Sequence, residues 1–165
     1  MRQAKLLTFA ALMATLSNIL SIEPLVIPIP AGPFPSQIHF TQLPIFISGI
    51  LAGPWAGMLT GAVGGLYMSL TKIPFIIGGL ALLGFSAGFF AKRLRPLFSG
   101  ILAWGVQVPY VIVTDYVWFI RFMPSHVALA AISTILIKLT VEAVIASVTV
   151  EILIPYIKRA GITFK

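Results

Sequence analysis

The sequence predicts an all-α integral membrane protein: six transmembrane helices in one compact bundle spanning residues 1–165, both termini cytoplasmic, with a Pro-rich first outer loop. Three observations predict it. Hydrophobic residues make up 59% of the 165-residue chain and charged residues only 9%, far from a soluble domain. Mean hydropathy is +1.05, which leaves no stretch polar enough for a separate soluble module. Apolar segments approaching the roughly 20 residues that a bilayer-crossing helix needs follow one another with short connections until the chain is used up.

The first span covers about residues 6–22, after a basic start at Arg2 and Lys5. Reading that start as a signal peptide fails for want of a small-residue cleavage site before Glu23 and Pro24. Residues 23–37 hold five of the twelve prolines (Pro24, Pro28, Pro30, Pro33 and Pro35) with Gly32 among them, so this stretch is not helix. Its apolar members Leu25, Val26, Ile27, Ile29 and Phe34 suit a lid over a cavity as well as a passive linker. The second and third spans, about 38–52 and 55–70, meet at Gly53-Pro54. Gly49, Gly53, Gly57, Gly61 and Gly65 recur every fourth residue. Such a small-residue stripe lets membrane helices approach closely. The fourth span, about 74–91, carries Gly84 and Gly88 in the same register. The fifth covers about 97–120; the sixth and longest, about 127–157, has Pro155 near its end.

The charges orient the bundle. With the N-terminus inside, cytoplasmic ends carry Arg2, Lys5, Lys92, Arg93, Arg95, Lys158, Arg159 and Lys165, eight of the eleven basic residues. Outer loops hold Lys72 and Arg121, and Lys138 lies within the sixth span, so the positive-inside rule places a multi-pass protein in the cell membrane. The net charge of +7 is therefore topological, and the partner it implies is the lipid bilayer, not nucleic acid. The lack of cysteine excludes thiol nucleophiles, iron–sulfur clusters and thiolate zinc sites. His39 and His126, without a carboxylate companion, make no metal site.

Polar side chains inside spans are costly and mark candidate function. On the fifth span Gln107, Tyr110, Thr114, Asp115 and Trp118 follow helical spacing along one stripe that suits a binding wall. On the sixth, Thr134, Lys138 and Glu142 stand at successive i+4 steps. Lys138 then either meets an anionic group of a ligand or pairs with Glu142 or Asp115 to hold the bundle together. Asn18, His39, Tyr67 and Thr71 lie near span ends, where a polar group is partly hydrated. Trp55, Trp104 and Trp118 also suit anchors at the membrane interface. No nucleophile, zinc-protease or phosphate-loop motif appears, so the expectation is a non-enzyme without cofactor.

The Ala-x-x-x-Ala pair Ala10 and Ala14, the Pro-rich loop after it, and the run from Leu43-Pro44 through Gly49, Gly53-Pro54 and Gly57 to Gly61 resemble the substrate-binding S component of an energy-coupling factor (ECF) transporter. That resemblance implies a high-affinity binding subunit of an ATP-driven importer for a vitamin or related small organic micronutrient. It implies that Ala10 and Ala14 dock on a transmembrane T component and that two cytoplasmic ATPases complete the complex. It also implies that loop 23–37 closes over the ligand and that the subunit topples to release its cargo inward. Cobalt and nickel S components begin with Met-His, whereas Arg2 follows Met1 here, which points away from a metal substrate. The aspartate and lysine pattern of the biotin branch is not intact around Lys138.

Lys138 suits a carboxylate, whereas Asp115, Glu142, Tyr110 and Trp118 suit a cationic or stacked ring. The sequence leans to a vitamin with an anionic group. The rival reading is a self-sufficient secondary transporter using Asp115, Lys138 and Glu142 as an ion or proton relay.

Overall fold

The computed structural model describes residues 2–22, 24–29 and 36–164. Much of the expected lid, including Pro30, Gly32, Pro33, Phe34 and Pro35, therefore lies outside the described residues, as do Met1, Glu23 and Lys165.

The chain is mostly helical: α1 (Arg2–Ile19), α2 (Gln42–Ala52), α3 (Pro54–Gly64), α4 (Leu66–Thr71), α5 (Ile76–Phe90), α6 (Pro96–Phe119) and α7 (Ser125–Arg159), with short strands β1 (Ile27–Ile29) and β2 (Ser36–Ile38) between α1 and α2. Among the described residues two helices are long and apolar enough to cross a bilayer, α6 with 24 residues and α7 with 35. At 1.5 Å per residue α7 is roughly 52 Å long, more than the hydrocarbon core of about 30 Å requires. Its basic last turn, Lys158 and Arg159, is exposed.

The first loop departs from an unstructured linker: β1 and β2 pair antiparallel, Ile27 opposite Ile38 and Ile29 opposite Ser36, and β2 lies against α7. Ile38 thus belongs to the hairpin, and the second helix begins four residues later than the sequence suggests, at Gln42. α2 is the central helix, packed on α3, α5 and α7. Its residues from Pro44 to Gly49 are all buried, with Ile45 and Phe46 fully enclosed. The core continues through Leu83 and Ala87 of α5, Ala103 and Trp104 of α6, and Ala143 and Val150 of α7.

Gly53 joins α2 to α3 with φ +98°, a backbone conformation only glycine adopts without strain, and Pro54 then starts α3 at the position where a missing N–H is harmless. α3 crosses α5 with backbones in contact: a Cβ on Gly84 would collide with the carbonyl of Gly57, and one on Gly57 with the carbonyl of Gly84. The glycine spacing read from the sequence serves this crossing.

The third expected span divides in two at Gly65 because a side chain from α1 enters the helix. Asn18 Nδ2 donates to the carbonyl of Val63 at 2.8 Å, and Asn18 Oδ1 accepts the N–H of Tyr67 at 3.1 Å. Val63 and Tyr67 would otherwise bond each other at i and i+4. One carboxamide replaces that bond with two of its own and separates α3 from α4.

Ala10 and Ala14 face inward, 5% and 1% exposed, because α1 packs on α3: Thr60 Oγ1 on α3 donates to the carbonyl of Ala10 at 3.3 Å. The pair does not present an outward surface of its own. It lies at the floor of an apolar groove between α1 and α3 whose walls include the exposed Leu7, Leu59 and Val63.

Candidate functional site

At the hairpin end of the bundle, α2, α4, α5, α6 and α7 enclose a cavity of about 450 Å³. Six of the eight residues singled out as ligand-binding line it: Gln107, Tyr110, Thr114 and Asp115 from α6, and Lys138 and Glu142 from α7. The 3.6-residue period puts the α6 set on one face, and α6 packing on both α5 and α7 turns that face inward. Trp118 and Thr134 are not among the lining residues. Trp118 stands behind Phe75, ring centroids 6.2 Å apart and edge-on. The Thr134 hydroxyl donates back to the carbonyl of Ala130 in its own helix at 3.1 Å.

Tyr110 is held as a wall. Its hydroxyl donates to the carbonyl of Phe75 at 3.1 Å, and its ring lies over Gly78 and Gly79, where no Cβ would fit without displacing the side chains of α6. Pro109 beside it removes one backbone bond, to Gly105, in the turn that carries Gln107 and Tyr110.

Charges sit on one polar chain. Lys138 Nζ lies 3.6 Å from Glu142 Oε1, with their side chains 13% and 2% exposed. The same Glu142 oxygen accepts the backbone N–H of His39 at 2.6 Å. Lys72, at the end of α4, places Nζ 2.9 Å from His39 Nε2 and 3.2 Å from Gln37 Oε1. An ammonium only donates, so His39 Nε2 accepts and the ring proton sits on Nδ1. His39 lies in the connection between β2 and α2. Burial there, with the charges of Lys138 and Lys72 nearby, lowers its pKa from 6.5 to about 3, so the ring is neutral. Asp115 is buried with no cation within 4.0 Å among the described residues.

Other lining residues are not among those the sequence singles out as ligand contacts: Gln37, Thr41, Gln42, Lys72 and Phe75. Gln42 carries one signal, an amide beside a long apolar run. Lys72 reads in the sequence as an outer-loop charge, and only the fold returns it to the cavity. The weaker candidates go elsewhere. Asn18 serves the α3–α4 break, Thr71 donates to the carbonyl of Tyr67 at 2.7 Å, and Trp104 Nε1 donates to Thr140 Oγ1 at 3.2 Å across α6 and α7. Trp55 is 67% exposed, beside Phe85. Among the described residues no group of three or more His, Asp or Glu side chains gathers to hold a metal ion.

The fold matches a solved structure of ThiT from Listeria monocytogenes with a TM-score of 0.72, covering 96% of this chain and 98% of that one at 16% identity. No family model matches the chain, and no curated protein matches it by sequence.

Proposed function

We propose that this chain is the substrate-binding S component of an ECF-type ATP-driven importer and that it captures a vitamin or related small organic micronutrient in the cavity at the hairpin end. The observation that carries the reading is that cavity: about 450 Å³, lined by buried amides and carboxylates, in the fold shared with ThiT; the Pro-rich segment and Gly-Pro run of the sequence, which resemble those of S components, support it. Polar groups buried inside a membrane bundle are expensive, and a binding site justifies them. Residues 1–165 form one membrane domain crossing six times with both termini cytoplasmic, so that the hairpin faces outward. Gln107, Tyr110, Thr114, Asp115, Lys138 and Glu142 contact the ligand, and Trp118 backs the Phe75 wall from behind.

ATP hydrolysis then falls to two cytoplasmic ATPases, and this chain is not itself an enzyme. A transmembrane T component would dock along α1, its helix seated in the groove above Ala10 and Ala14. The rival reading draws on one feature of the same cavity, that Asp115, Lys138 and Glu142 all line it, as an ion relay would require.

Native mass spectrometry of the gently purified protein tests the proposal. A co-purifying small organic molecule, rebinding tightly to the isolated chain, is the expected result. An isolated chain that binds no vitamin, yet catalyses ion-coupled flux alone in proteoliposomes, would establish the relay instead.

A further inference from the structure

Two carboxamides among the residues that line the cavity leave hydrogen-bonding atoms buried and unpaired. Gln42, 1% exposed in the first turn of α2, has neither Oε1 nor Nε2 paired among the described residues, and Gln107, 3% exposed on α6, leaves Oε1 unpaired. Buried polar atoms are nearly always satisfied, so orphans that line one cavity from two helices point to a ligand that completes them. A carboxamide presents an acceptor beside a donor. Its complement is a ligand edge with a donor beside an acceptor, as an aminopyrimidine or a lactam ring has.

The walls and charges narrow the class. Tyr110, fixed by the carbonyl of Phe75 and seated over Gly78 and Gly79, lines the cavity together with Phe75, so two aromatic side chains contribute apolar wall. The cationic groups facing the cavity are engaged, Lys138 by Glu142 at 3.6 Å and Lys72 by Gln37 and His39. Asp115, in contrast, has no cation within 4.0 Å among the described residues. A ligand carboxylate would have to displace an existing partner and would meet Asp115 as a like charge.

Resting on the S-component reading, we infer that the ligand is a planar nitrogen heterocycle, neutral or cationic, whose adjacent donor and acceptor pair with Gln42 while Gln107 accepts a further N–H. This reverses the anionic preference that Lys138 suggested in the sequence.

The test is calorimetric titration of the full-length protein in nanodiscs with thiamine and riboflavin, which carry such edges, and with pantothenate and lipoate, carboxylates that lack a planar nitrogen ring. At least one heterocycle is expected to bind, with both carboxylates weaker by about tenfold or more, the scale set by leaving buried polar atoms unpaired. Gln42→Met and Gln107→Met should each weaken the heterocycle by about tenfold with the folded state retained. Should Gln42→Met fail to fold, Gln107→Met and the wild-type ranking still decide. Preference for pantothenate or lipoate, a co-purified molecule without a donor–acceptor edge, or unchanged affinity in the folded glutamine variants overturns the inference and leaves the S-component reading standing. Failure to bind any of the four, with nothing co-purified, overturns the inference, and ion-coupled flux by the chain alone in proteoliposomes would then remove the S-component reading as well.

Discussion

The backbone N–H of His39 donates to Glu142 Oε1 at 2.6 Å, joining residues 103 apart in sequence. Through that bond α7 holds the base of the β1–β2 hairpin over the cavity. The carboxylate also faces Lys138, and the His39 ring faces Lys72, so hairpin, α4 and α7 share one polar chain around the cavity.

Glu142→Ala removes two partners at once, leaving the partly exposed Lys138 without its carboxylate and the His39 amide unpaired. The expected loss is about 1–3 kcal/mol, the scale for leaving a buried hydrogen-bonding group unpaired. Glu142→Gln keeps an acceptor for His39 and should lose less. Hydrogen exchange at the His39 amide is the direct readout: it should accelerate in the alanine variant, and an unchanged rate there would sink the hairpin-holding role.

Lys138 and Glu142 should be energetically coupled. A double-mutant cycle with Lys138→Met and Glu142→Gln, followed by thermal unfolding, is expected to give a coupling energy of at least about 0.5 kcal/mol. Additive effects on stability combined with a large loss of affinity from Lys138→Met alone would make the ammonium a ligand contact and not a structural pair.

Stability should fall on acidification through His39. The unfolded chain takes up the proton near pH 6.5, whereas the folded state resists it until about pH 3. Between those values the unfolded state holds more protons, so stability rises with pH; the contribution is complete above 6.5 and is lost as pH falls toward 3. The slope from this one group is at most about 1.4 kcal/mol per pH unit. Unfolding temperatures at pH 7 and pH 5 should differ less in His39→Gln than in the parent, and identical differences would exclude His39 as the source.

Gly84→Ala should destabilise by about 1–3 kcal/mol, because the new methyl meets the backbone of Gly57 and neither helix can yield locally. Gly105→Ala is the control. It lies on α6 with nothing within 4 Å of where its methyl would stand, so it should be neutral or stabilise by up to about 1 kcal/mol through helix propensity. Equal effects of the two would show that propensity, not the close crossing, governs α5.

The sequence by itself determined where helices form, because apolar run length and Gly-Pro breaks are local quantities: α5, α6 and α7 lie within a few residues of the expected spans. It also put Gln107 to Asp115 on one face of α6 and Lys138 one turn from Glu142, since residues one turn apart on a helix share a face wherever that helix packs; that Lys138 lies against Glu142 and not Asp115 came from the fold. Tertiary structure decided the rest. No local pattern reveals that Asn18 cuts the third span, that Ala10 and Ala14 turn toward α3, or that Gln42 and Lys72 join the α6 wall around one cavity. Each depends on which helix ends meet, and that is set by close crossings such as Gly57 on Gly84, where only the assembled bundle places the atoms.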